Sequence, residues 1–163
     1  MKTAARLGII AALALLAGRA EAVTATSSFT VQLTIAAQCT IVSTSTLNFG
    51  TNGVINANIE QSATLNVQCT NTTPYNIGLD GGANGGTTTT RLMKGGPTNE
   101  TIQYKLFSNS GRTTNWGNTV GTDTVASTGN GASQPFTIYG RVPPQTTPTP
   151  GAYSDTVTVT VTY

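Results

Sequence analysis

Histidine is absent from all 163 residues. That removes Ser–His–Asp and Cys–His constellations along with the commonest metal ligand. Charge is scarce as well: Asp, Glu, Lys and Arg make up 9% of the chain, against about a quarter in ordinary soluble domains. Beyond the first two dozen residues the acids stand singly, at Glu60, Asp80, Glu100, Asp123 and Asp155. A hydrolase built on paired carboxylates would need the fold to bring two of them together. Cysteine occurs only at Cys39 and Cys69, too far apart for a C-x-x-C redox site. Long apolar runs are missing except at the very start.

That start reads as an export signal. Lys2 and Arg6 form a basic n-region, Leu7 to Ala17 an apolar h-region too short to span a bilayer, and Ala20-Glu21-Ala22 a small-residue cleavage site. Residues 1–22 are therefore expected to be removed and 23–163 to form the mature protein. Its cations, Arg91, Lys94, Lys105, Arg112 and Arg141, balance its five acids to zero. No basic patch for nucleic acid or an anionic membrane remains, and no cofactor motif is present. In an oxidising compartment Cys39 and Cys69 read as a structural disulfide, worth roughly 3.5 kcal/mol in the chain-entropy model.

What is present is threonine, asparagine, glycine and period-2 alternation. Apolar residues alternate through Phe29, Val31, Leu33, Ile35, Ala37, Cys39 and Ile41, and again through Ala63, Leu65, Val67 and Cys69. Further strands are expected at Ser45–Phe49, Tyr75–Leu79, Arg91–Met93, Ile102–Leu106 and Phe136–Val142, with a last one alternating through Val157, Val159, Val161 and Tyr163. Alternation puts each apolar set on one face of a strand. About seven short strands with turn signals between them imply a β-sandwich. The stretch from Ser108 to Ser133 is Gly-, Thr- and Asn-rich with Trp116 as its anchor, and Pro143–Pro150 is a stiff connection unsuited to a sheet interior.

Between Phe29 and Cys39 there is no Gly, Pro, Asn or Asp to reverse the chain. A hairpin folding Phe29, Val31, Leu33 and Ile35 back onto their own domain is thus disfavoured, and these residues are expected to project. Burying four such side chains is worth roughly 6–12 kcal/mol gross. A groove on another subunit is the natural place for them.

These features resemble the spore coat protein U domain shared by pilins of archaic chaperone–usher pili. The resemblance rests on the alternating segment entering Cys39, on Pro74-Tyr-Asn-Ile-Gly-Leu-Asp-Gly-Gly82, Arg91-Leu-Met93, Ile102-Gln-Tyr-Lys-Leu106, Trp116-Gly117, Ile138-Tyr-Gly-Arg-Val142, and on Gly151 through Tyr163. It implies an all-β, incomplete immunoglobulin-like β-sandwich completed by a donor strand from a neighbouring subunit. A periplasmic chaperone lends a strand first; at the outer-membrane usher the next subunit's N-terminal segment replaces it. Carried onto this chain, residues 23–35 hold the donor strand, with Phe29, Val31, Leu33 and Ile35 facing the groove. Residues 36–163 form the pilin domain, whose Val157, Val159, Val161 and Tyr163 border the receiving groove. One domain with a donor segment reads as a shaft subunit in a homopolymer exposed at the cell surface, supporting adhesion and biofilm formation. The alternatives are a secreted coat protein of the same fold and a carbohydrate-binding module.

Sharper chemistry weighs less. Asp80-Gly-Gly-Ala-Asn-Gly85 mimics the opening of a calcium loop but lacks its third-position ligand, and Arg91 stands where the bidentate Glu belongs; it reads as a turn. Lys94 and Lys105 read as solvated or interface lysines rather than isopeptide donors. Asn71-Thr-Thr and Asn99-Glu-Thr match glycosylation sequons. Tyr75, Tyr104, Tyr139 and Trp116 read as core or groove-rim aromatics rather than a sugar platform. The Pro143–Pro150 segment is either a rigid loop or a contact between neighbouring subunits.

Overall fold

The computed structural model describes residues 21–163; the basic and apolar parts of the export signal, with Ala20, lie outside the described residues. The chain divides into two units, Met1–Thr34 and Ile35–Tyr163. In the first, residues 21–34 form neither helix nor strand and are exposed throughout. The strand expected from Phe29 onward therefore begins only at Cys39. A strand exists through the ladder that a neighbour supplies, and among the described residues the first backbone partner comes only at Gln38, whose carbonyl accepts from Thr70 N at 2.9 Å.

The second unit is all-β. Its strands are β1 Cys39–Thr44, β2 Ile59–Cys69, β3 Pro74–Leu79, β4 Arg91–Gly95, β5 Glu100–Phe107, β6 Val125–Thr128, β7 Ser133–Val142, β8 Tyr153–Ser154 and β9 Val159–Thr162. They pair antiparallel into a six-stranded sheet, β1-β2-β7-β5-β4-β8, and a three-stranded sheet, β6-β3-β9. The core lies between them. Leu65, Val67 and Cys69 enter from β2, Tyr75, Ile77 and Leu79 from β3, and Tyr104 and Leu106 from β5. Alternation in β2 sends Thr64 and Gln68 to solvent while Ala63, Leu65, Val67 and Cys69 are buried. Trp116 is buried too, its indole N–H donating to the Ile77 carbonyl at 2.9 Å. Cys39 and Cys69 are register partners on β1 and β2, and their sulfurs are bonded.

Three local expectations differ from the structure. Ser45–Phe49 is not a strand. After the Ser45 N–H donates to Thr64 O, the chain leaves β2, turning on Asn48 and Asn52 side chains that bond to Gly50 N and Phe49 O. Leu47 and Phe49 still pack inward, over Gly140, where a β-carbon would collide with both. The last strand is broken: β8 pairs with β4 in the large sheet and β9 with β3 in the small one. Val157 therefore lies in a crossing segment, not in a strand. Finally, the Ser108–Ser133 stretch contains β6, which pairs with β3.

Candidate functional site

Among the described residues, β1 has a hydrogen-bonded neighbour only in β2, and β9 only in β3. The two run near each other along one side of the sandwich without pairing, so the sheets are not joined there. Next to them the interior opens. Thr44 to Ile55 on one side and Thr147 to Val159 on the other frame a cavity of about 1190 Å³. Its floor is the core itself, including Ala63, Leu79, Ile102, Tyr104, Leu106 and Ile138. Folded interiors pack like organic crystals, with voids seldom larger than a water. A space of this size with an apolar floor is a missing element of the core.

The structure distributes the expected groove residues unevenly. Val157 and Val159 line the cavity. Val161 is half-buried against the core. Tyr163 follows the end of β9 and is exposed. The expected donor residues Phe29, Val31, Leu33 and Ile35 are 88, 82, 85 and 71% exposed.

The cavity's two lips meet at one end. The Ile55 N–H donates to Thr147 Oγ1 at 2.8 Å, and the Gln145 N–H to Ile55 O at 3.1 Å. Where β7 has ended at Val142, the Gln145 side chain continues a ladder against β5, accepting from Gln103 N and donating to Gln103 O, both at 2.9 Å. The Pro143–Pro150 connection is thereby docked as part of the groove rim.

Beside the groove lies a polar network that no sequence pattern announced. Arg91 is fully buried. Its guanidinium donates to the carbonyls of Asp80, Thr88, Leu79 and Trp116 at 2.7 to 2.9 Å. Burial lowers its pKa, opposed by the electrostatic influence of nearby Tyr104 and of the carboxylates of Asp80, Asp123 and Asp155. Burial pushes Asp80 upward, but hydrogen bonds from Thr158 and Gly82 and the Arg91 charge hold it below the usual carboxylate value. Tyr104 is raised well above the ordinary phenol by burial and by its hydrogen bond to Asp155, so it stays a donor. That bond, Tyr104 Oη–H to Asp155 Oδ2, is 2.7 Å.

The remaining acids are spent on structure. Glu60 bridges Arg112 and Arg141 at 2.9 and 2.7 Å. Glu100 accepts from Thr149 N at 2.8 Å and Asp123 from Thr119 N at 2.8 Å. Asp80 Oδ1 accepts from Gly82 N and Thr158 N at 2.9 Å, the geometry of a turn. Among the described residues no three His, Cys, Asp or Glu side chains gather as a metal site. Tyr75, Tyr104 and Trp116 are buried and Tyr139 is half-buried under Arg112. Lys94 and Lys105 are exposed on β4 and β5.

Residues 25–160 match the family described as Spore Coat Protein U domain. The chain is 33% identical over 158 residues to Protein U of Myxococcus xanthus, covering 88% of each. Among solved structures it is similar, at 25% identity and a TM-score of 0.53, to a chain of the CsuC–CsuE chaperone–tip adhesion subunit pre-assembly complex from archaic chaperone-usher Csu pili of Acinetobacter baumannii. The likeness covers 80% of this chain but only 40% of that one. The fold is that of chaperone–usher pilus subunits, a sandwich left open along one side. With its match running from the exposed N-terminal segment into β9, this chain belongs to the Spore Coat Protein U domain family.

Proposed function

We propose that the protein is a structural pilus subunit that polymerises by donor-strand exchange. Phe29, Val31, Leu33 and Ile35 of one copy fill the groove bordered by Val157, Val159, Val161 and Tyr163 of the next. The observation that carries this reading is the open core cavity of about 1190 Å³ in a chain whose own period-2 apolar segment is exposed. Each is costly to leave in water, and each has the shape of what the other lacks. The donor stretch lies within 23–35, and the cell surface, reached through the periplasm, is the destination. A periplasmic chaperone that holds the groove before assembly is supported by the Csu complex, in which a chaperone is paired with a tip adhesion subunit. An outer-membrane usher and homopolymeric growth complete the scheme, with adhesion and biofilm support as the role of the fibre. Scattered carboxylates occupied by structural hydrogen bonds favour no enzymatic role.

A second reading has its own support. Membership of the family described as Spore Coat Protein U domain favours a secreted coat protein of the same fold, which would assemble without an usher. One pair of variants tests the donor strand in either setting. Val31→Asp places a carboxylate in an apolar slot, at a cost of several kcal/mol unless it protonates. Gln32→Asp changes the opposite face. Electron microscopy of cells carrying the matching chaperone and usher should show fibres with Gln32→Asp and none with Val31→Asp. Normal fibres from Val31→Asp, or equal loss from both, would falsify the assignment; fibres that need no usher favour the coat reading.

A further inference from the structure

The groove wall contains a discontinuity that needs its own support. Between β8 on the large sheet and β9 on the small one, Asp155–Thr158 belong to neither ladder, yet Asp155, Thr156 and Val157 line the cavity. Side chains replace the ladder. Asp155 Oδ1 accepts from Ala83 N at 2.9 Å, Asn84 Nδ2 at 3.0 Å and Thr156 N at 2.9 Å. Asn84 Nδ2 also donates to Ser154 O and Leu92 O, at 2.9 and 3.0 Å. Backbone bonds from Ala83 N to Thr156 O and from Asp80 N to Thr158 O, at 3.0 and 3.1 Å, finish the stitching. Gly82, at φ 82°, lies against the Asp155 carboxylate so closely that any β-carbon would overlap it.

The other carboxylate oxygen has a different task. Oδ2 receives the hydroxyl of Tyr104, a buried residue of the groove floor whose ring meets Phe49 edge-on at 6.4 Å between centroids. Phe49 belongs to the opposite lip. Floor, wall and far lip are thus linked through one tyrosine and one carboxylate.

We propose that Asp155 is a positioning residue of the acceptor groove, holding the crossing segment over Tyr104 so that Val157 and Val159 meet an incoming strand at the right depth. This rests on the donor-strand reading above and concerns the geometry of the receiving side. Asp155 contributes little apolar contact itself; its effect on a bound strand passes through the wall it fixes and through Tyr104.

The test uses the full chain and a fluorescein-labelled peptide of residues 28–35, with association and release followed by anisotropy. The melting temperature of each free variant is measured alongside. Asp155→Ala should release the peptide roughly tenfold faster, the effect of losing a hydrogen bond to a charged group, while the free chain melts at a lower temperature but stays folded at the assay temperature. Tyr104→Phe removes only the bond to Oδ2 and should show a smaller shift in the same direction. Asp155→Asn keeps the Oδ1 acceptor for its three contacts, while its Nδ2 can donate to the Tyr104 hydroxyl oxygen in place of the lost Oδ2 acceptor, and should bring release back close to wild type. If Asp155→Ala does not fold, Tyr104→Phe against Asp155→Asn decides. Unchanged release in Tyr104→Phe and Asp155→Ala, or a fall in melting temperature that accounts for all the lost affinity, overturns the positioning role. Failure of the wild-type chain to bind the peptide overturns the donor-strand reading itself, and this inference with it.

Discussion

Arg91 is the residue whose environment departs furthest from its chemistry. A cation without exposed surface survives because four carbonyls, drawn from β3, the loops around Asp80 and Thr88, and Trp116, take up its planar fork of donors. Lysine offers a point charge with three donors and cannot match that fork. Arg91→Lys should therefore lower the unfolding free energy by about 2–3 kcal/mol. Urea titration followed by Trp116 fluorescence checks it, because the single tryptophan shares its carbonyl with that guanidinium. Asp80 gives the site a pH dependence of known sign. Its folded pKa lies below the ordinary value, so its stabilisation is present above the unfolded value of about 3.9 and is lost as pH falls through the folded one. Asp80→Asn should be less stable near neutrality and lose less on acidification below about pH 4; thermal melts across pH 2–7 would show converging curves. None of this was legible beforehand. Arg91 opens β4, Asp80 follows the end of β3 and Asp155 lies in the crossing segment between β8 and β9; alternation names no partner for such positions, and their partners are mostly main-chain atoms.

Elements were far easier to read. Wherever a strand keeps one partner along its length, as β2 does against β7, the alternation in the sequence survives as alternation in burial. The reading failed where the partner changes and the sequence does not. Thr-Val repeats run evenly from Thr156 to Thr162, so nothing in them marks the passage from one sheet to the other. Ser45–Phe49 failed for a related reason: Leu47 and Phe49 do point inward, but their backbone has left β2. Of the four edge strands, β1, β8, β6 and β9, β1 and β9 are the two that flank the open side, and supplying a strand between them should cure the chain. A copy of residues 28–35 appended after Tyr163 through a flexible linker is expected to yield a soluble monomer with a raised melting temperature. Size-exclusion chromatography and scanning calorimetry decide it. An unmodified chain that is already monomeric and equally heat-stable would mean that the open side needs no partner.

At the scale of the whole molecule, strand alternation conveyed the β-sandwich class and the family resemblance implied the open side, while the cavity's extent depended on side chains meeting in space. The balanced, sparse charge of residues 23–163 has a measurable consequence. Subunit association driven by apolar burial should change little in rate or extent between roughly 0.05 and 0.5 M salt, where exposed ion pairs would be screened; light scattering of assembling protein reads this directly, and a steep salt dependence would point to an electrostatic interface instead. The disulfide between β1 and β2 gives the molecule a mechanical property as well. Tension on residues 35–37 enters the domain at Gln38, which is bonded to Thr70, and at once reaches Cys39, the first residue of β1. Without a covalent link that pull would peel β1 from β2 one hydrogen bond after another, as a zipper opens. The Cys39–Cys69 bond passes the load at the first residue into β2, which is locked along its length to β7. In the proposed fibre, shear would load each subunit as a clamp, and the strand beside the open groove would stay in place while the chain is stretched.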